Sequence, residues 1–151
     1  MTKTAFLFAG QGAQYLGMGR DLYDKYPIVK ATIDQASQLL GYDLREIIDH
    51  EESKLNQTRY IQPAILATSV AIYRLLQEKG YEADMVAGLS LGEYSALVAS
   101  GALDFEGAIA LVAKRGAYME EVAPAGSGKM VAVLNTPVDV IEEACQKASE
   151  F

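Results

Sequence analysis

Gly88-Leu89-Ser90-Leu91-Gly92 spells G-x-S-x-G, the spacing at which a serine hydroxyl can serve as an acyl-accepting nucleophile. A serine on a turn this sharp takes up a strained backbone conformation, and glycines two residues to either side relieve the crowding around it. The bland alternative is a tight strand-to-helix turn with an incidental serine. A serine nucleophile normally needs a base, usually histidine, oriented by a third group. In hydrolases with this motif the acid and the histidine follow the serine in the chain, yet no histidine follows Ser90. The single histidine, His50, precedes it in the polar stretch Asp49-His50-Glu51-Glu52, expected to be a surface loop with a solvated imidazole. The base is therefore missing, or lies beyond Phe151.

Arg115 is the second residue with chemical content. Ala108, Val112, Met119 and Val122 recur at helical spacing, and Arg115 falls on that apolar stripe. Arginine is rarely buried without a partner. Its face should therefore open onto a site that receives an anion, and the planar guanidinium fork suits a carboxylate held by two hydrogen bonds. A snorkelling arginine, or one paired with an internal acid, fits the same spacing.

The elements that must position these groups are legible in outline. Thr4 to Phe8 reads as a short buried strand closed by glycines, and Asp84 to Gly88 as a second short strand, leading straight into a helix, Leu91 to Ser100. On that helix Ser95, Ala96 and Ala99 keep one side slim enough to lie close against a sheet. Pro27 to Leu40 is predicted helical, started by its proline and ended at Gly41, with Val29, Ile33, Ala36 and Leu40 on one face. A helix from Tyr60 to Lys79, stopped by Gly80, is apolar on almost every side between Ala64 and Ile72 and belongs inside the protein. Asp104 caps a helix reaching about Val122. Pro124-Ala125-Gly126-Ser127-Gly128 reads as a linker, followed by a strand, Lys129 to Leu134, and a helix from about Pro137. Alternating strands and helices indicate an α/β fold with a mainly parallel sheet.

Composition narrows the function classes. Half of the 151 residues are hydrophobic, which places the chain among folded proteins, and 13 basic against 20 acidic residues give a net charge of −7. That balance argues against a nucleic-acid binder. One cysteine, Cys145, excludes an internal disulfide and a zinc cluster, and is expected to pack on the last helix. No stretch reads as a targeting sequence or a membrane span, so a cytoplasmic location is expected. Gly10-Gln11-Gly12 lacks the third glycine of a dinucleotide fingerprint, because Tyr15 stands there. Gly128-Lys129 is followed by Met130 where a phosphate-binding loop needs Ser or Thr. Glu120-Glu121 and Glu142-Glu143 are expected to be solvated helix faces.

Four motifs taken together carry a resemblance. Phe8-Ala9-Gly10-Gln11-Gly12-Ala13-Gln14, Gln62-Pro63-Ala64, Gly88 to Glu93 and Arg115-Gly116 resemble the malonyl-CoA:acyl-carrier-protein transacylases and related acyltransferase domains. The likeness runs from Thr4 to Ser149. It implies a large hydrolase-like subdomain with a parallel sheet, here residues 1–124, and the start of a small ferredoxin-like subdomain, here residues 125–151 with linker, strand and helix. Since members of the family are about twice this length, the chain is expected to be an N-terminal half.

By position, the resemblance makes Ser90 the acylated nucleophile and Arg115 the grip on the free carboxylate of malonate. Gln11 and Leu91 become the backbone donors of the oxyanion hole, and Gln62 and Leu89 pocket neighbours. Leu89 stands where many members have histidine, which alters a polar contact beside the pocket rather than the base. The implied reaction is ping-pong: malonyl-CoA acylates the serine, and the phosphopantetheine thiol of acyl carrier protein takes the malonyl group. The resemblance implies no bound cofactor, no metal, no membrane and no nucleic acid. The family's catalytic histidine lies in the half not present, so the chain by itself is expected to turn over slowly or not at all. A serine hydrolase, esterase-like or patatin-like, and a non-catalytic piece that assembles only with a partner are the competing readings.

Overall fold

A computed structural model describes residues 3–124, 126–128, 131 and 133–149. Among these the order is β1 (Ala5–Phe8), α1 (Arg20–Lys25), α2 (Pro27–Leu40), α3 (Leu44–His50), α4 (Glu52–Leu55) and α5 (Thr58–Glu78), then β2 (Met85–Gly88), α6 (Gly92–Ala99), α7 (Phe105–Val122) and α8 (Val138–Ala148). β1 and β2 pair in parallel, with Ala5 opposite Met85 and Phe8 opposite Gly88. A parallel pair cannot be closed by a tight turn, and here five helices form the crossover. The α/β class with a small parallel sheet is what the residue pattern predicts.

The core is built around α5. Ile61, Ala64, Ile65, Leu66, Ala67, Val70, Ala71 and Leu75 are buried on it, and it packs against α2, α7, α6, α3 and α4. From α2 come Val29, Ile33 and Ala36, from α3 Leu44, Ile47 and Ile48, and from α7 Phe105, Ala108, Ile109 and Val112. α2 begins at Pro27 and ends where Gly41, at φ 76°, donates its N–H to the Ser37 carbonyl. α7 starts where the Asp104 carboxylate accepts the Gly107 N–H at 2.7 Å. α5 and α7 touch backbone to backbone near Gly116. A Cβ there would stand 2.8 Å from the Thr58 carbonyl oxygen and 3.0 Å from the Arg59 Cα.

Several expectations are corrected. The strands are not buried, for Leu7 is 79% and Met85 53% exposed, because α6 and the Tyr73 ring of α5 cover one face of the sheet and leave its opposite face uncovered among the described residues. His50 is not in a loop. It ends α3, whose start Asp43 caps by accepting the Glu46 N–H at 3.0 Å, and its imidazole remains exposed, 4.0 Å from Glu46. Glu120 is no free solvated acid. It accepts from both Arg59 Nε, at 2.8 Å, and the Arg59 backbone N–H, at 3.1 Å, which ties the end of α7 to the start of α5. Cys145 is exposed rather than packed, since α8 buries none of its residues. In the expected strand Lys129 to Leu134, Lys129, Met130 and Ala132 lie outside the described residues, and Val131, Val133 and Leu134 carry no strand.

Candidate active site

The G-x-S-x-G segment sits at the junction of β2 and α6. The ladder runs on by one bond past the sheet, with Leu89 N–H donating to the Phe8 carbonyl at 3.2 Å. The chain then reverses at Ser90, whose φ of 53° lies in the left-handed region. A non-glycine residue there costs about 1–2 kcal/mol, and persists only where its surroundings enforce it. The enforcement is visible. The Gly92 N–H donates to the Leu89 carbonyl at 2.9 Å and the Glu93 N–H to the Ser90 carbonyl at 3.1 Å, so the helix begins immediately. The two glycines are needed for proximity rather than for φ. A Cβ on Gly88 would run into the Gly92 carbonyl, and one on Gly92 into the Phe8 carbonyl. Leu91 is buried behind the turn, whereas Ser90 and Leu89 are exposed.

The loop after β1 is held against this turn. A Cβ on Gly10 would meet the Leu89 carbonyl oxygen at 2.5 Å, so only glycine lets the two backbones lie together. This places the turn bearing Gln11 beside Ser90. Among the described residues neither the Gln11 N–H nor the Leu91 N–H donates to an acceptor within the chain. Two unspent backbone donors flanking a serine are what an oxyanion requires.

Arg115 approaches from α7. Its Nη2 donates to Ser90 Oγ at 3.2 Å and its Nη1 to Gln62 Oε1 at 2.7 Å, while the Tyr94 ring lies 5.6 Å beneath the guanidinium carbon. It forms no ion pair among the described residues, so the internal-acid alternative left open by the spacing is not what the structure contains. Guanidinium has five N–H donors, and two are engaged here, which leaves donors for a carboxylate beside the serine. The stripe on which Arg115 lies is buried only in its first half. Val122 is 85% exposed, so the helix passes out of the core at the arginine.

A second group of contacts was not legible in the spacing. Gln62 Nε2 donates to Gln11 Oε1 at 3.2 Å and to Met119 Sδ at 3.1 Å, and Gln11 Nε2 donates to Thr58 Oγ1 at 3.4 Å. Ser90, Arg115, Gln62, Gln11 and Thr58 thus form one unbroken line of hydrogen bonds. The signal available beforehand was a glutamine and a proline set inside an otherwise apolar helix face. The side chains of Gln11, Gln62, Ser90 and Arg115 are brought together. Leu89 lies next to Ser90 but projects into solvent, and the exposed His50 on α3 lies 4.0 Å from Glu46.

The acyl transferase domain family matches residues 5–149. The chain belongs to that family. This acyl transferase domain is 44% identical over 151 residues to the malonyl CoA-acyl carrier protein transacylase of Bacillus subtilis (strain 168), covering 99% of the chain and 48% of the relative. It is 47% identical to the enzyme of the same name from Escherichia coli (strain K12), covering 99% of the chain and 49% of the relative. The crystal structure of MCAT from Streptococcus pneumoniae superposes with a TM-score of 0.88 at 88% identity, over 98% of this chain and 48% of that one. The chain therefore spans about half the length of the relatives it matches. Among the described residues of this domain, no helix is long and apolar enough to cross a membrane.

Proposed function

We propose that this acyl transferase domain carries the nucleophile half of a malonyl-CoA:acyl-carrier-protein transacylase site, with Ser90 accepting the malonyl group. The observation that carries the reading is the pairing of a left-handed Ser90 with an arginine 3.2 Å from its hydroxyl that meets no acid among the described residues. Simple ester hydrolysis has no use for such an arginine, whereas an acyl group ending in a free carboxylate does. The named activity of the relatives agrees with it.

In this reading Ser90 Oγ attacks the thioester carbonyl of malonyl-CoA, and the serine proton passes by way of a general base to the departing CoA thiolate. The resulting malonyl-serine ester is then attacked by the phosphopantetheine thiol of acyl carrier protein, which regenerates the serine. The N–H groups of Gln11 and Leu91 hold the oxyanion of both tetrahedral intermediates, a role in which losing one donor costs about 100- to 1000-fold in rate. Arg115 binds the malonyl carboxylate and so fixes the thioester over Ser90. The proton acceptor belongs outside the residues around Ser90, since the only histidine in the sequence ends α3 with its imidazole exposed, 4.0 Å from Glu46. No protein-bound cofactor enters the scheme; the pantetheine arm arrives on the acceptor protein, and the reaction is one of the cytoplasm. A division at residues 124 and 125 accompanies this reading, supported by α8 burying nothing against the rest.

The test is the intact mass of the full-length protein after incubation with malonyl-CoA. A malonyl adduct is expected, absent in Ser90→Ala and reduced at least about tenfold in Arg115→Ala, as loss of a charge-assisted pair implies. Labelling by acetyl-CoA as fast as by malonyl-CoA would remove the role given to Arg115, and an adduct surviving Ser90→Ala would remove the nucleophile.

A further inference from the structure

Gln62 is fully buried, on a helix whose neighbouring inward positions are apolar. A buried primary amide must satisfy an acceptor and two donors, and Gln62 does so with three partners from two other elements, α7 and the loop after β1. Its oxygen accepts from Arg115, and its nitrogen donates to Gln11 Oε1 and to Met119 Sδ. The orientation of the amide is fixed by chemistry, because guanidinium can only donate and a thioether can only accept. Turning the amide over would set its NH2 against Arg115 and its oxygen against Met119.

This wiring has a consequence for specificity that rests on the malonyl-transfer reading above. Arg115 is long and flexible, and among the described residues no acid holds its guanidinium. The 2.7 Å bond from Nη1 to Gln62 is its shortest anchor, and with Tyr94 beneath the plane it leaves Nη2 pointing at Ser90. The other end of the same amide holds the side chain of Gln11, whose backbone N–H has no acceptor among the described residues and follows Gly10, which packs on the Leu89 carbonyl. We propose that Gln62 is a positioning residue that locks Arg115 toward the acyl carboxylate and, through Gln11, couples that clamp to the oxyanion hole. Preference for a carboxylated acyl group is then set by a residue that never touches substrate. Binding the carboxylate tightens the geometry in which the thioester is attacked, so the preference is expressed in kcat as well as in KM.

The experiment uses the full-length enzyme and compares acylation by malonyl-CoA and by acetyl-CoA in wild type, Gln62→Met and Gln11→Ala, alone and combined with Arg115→Ala. Gln62→Met keeps the length and burial of the side chain but neither the acceptor nor the donors. It is expected to lower kcat/KM for malonyl-CoA about tenfold or more, the worth of one charge-assisted bond, with a change of less than about twofold for acetyl-CoA. In the Arg115→Ala background the same substitution should cost almost nothing further, since its effect is routed through the arginine. Gln11→Ala retains the backbone N–H and lies on the surface, so it tests the second link without risk to folding; a smaller loss in the malonyl-to-acetyl ratio is expected, seen in kcat. Equal losses on both substrates, or additive losses with Arg115→Ala, would overturn the proposal and leave Gln62 as a packing residue. Malonyl labelling absent from wild type would instead sink the transferase reading itself.

Discussion

At Ser90 the molecule holds an L-residue at φ 53°, and the surrounding bonds show how. The hydrogen bonds of Gly92 and Glu93 start α6 at once, and the close approach of Gly88, Gly92 and Gly10 to neighbouring backbone leaves no slack to relax into. Strain of this kind is measurable. Ser90→Gly should be more stable than Ser90→Ala by about 1 kcal/mol in denaturant titrations, since glycine enters the left-handed region without the Cβ penalty. Neither variant should form the acyl adduct. If the alanine variant proved the more stable, the turn would not be strained in the way its dihedral implies. The glycines, the serine and the arginine were legible because each announces itself locally, by a short motif or by a charge on an apolar stripe. Gln62 was visible only as a pocket neighbour. Its partners Gln11 and Met119 are 51 and 57 positions away, and no periodicity reports a contact between one helix, a loop and another helix.

Among the elements, the long helices, both strands and α6 were predicted to within about two residues, whereas α1, α3 and α4 were not. α2 and α7 carry both a cap and a repeating apolar face, so two independent signals agree. α1 and α4 have six and four residues, too few for a repeat to show. α3 did offer a signal in Asp43 followed by Glu46, the acidic pair of a helix start. The turn before α3 also carries a pH-dependent contact. Tyr42 stands edge-on to Tyr60 of α5 with ring centroids 5.4 Å apart, and burial, reinforced by Tyr60, pushes its phenol up from 10.0 to about 12. A pKa raised on folding means that the folded state keeps a proton the unfolded state has already lost. The stability it contributes is therefore complete below pH 10.0 and is lost as the pH rises toward about 12. Alkaline unfolding followed by circular dichroism should show this slope, and Tyr42→Phe should flatten it. A slope unchanged by Tyr42→Phe would assign the alkaline loss to other groups.

For the whole molecule, the contrast is between a sealed helical core and an open sheet. Leu7, Met85 and Leu89 are more than half exposed, and the alternation along β1 and β2 puts Leu7 and Met85 on one side of the sheet, with Leu89 directly after β2. Contiguous apolar surface of this sort favours association. The 151-residue chain on its own should therefore self-associate with rising concentration in sedimentation velocity, and Leu7→Lys should suppress it. The substitution reduces a net charge of −7, so weaker repulsion cannot be the cause of a more monomeric protein. Monomer for both chains at every concentration would show that the face is not adhesive. Hydropathy alone could not foresee this face, because an apolar strand is read as buried whether or not anything covers it. The two-stranded ladder also divides the molecule in time. Four residue pairs, with further bonds at Thr4 and Leu89, hold β1 to β2, and among the described residues both are edges, whereas the inward face of α5 is sealed inside the core. Amide hydrogens on the strands should exchange by brief local openings long before those of α5 give way. Such openings reach the Ser90 turn from its strand side alone, because Leu91 on its helix side is fully buried in the core, so the nucleophile is moored to the slower of the two clocks.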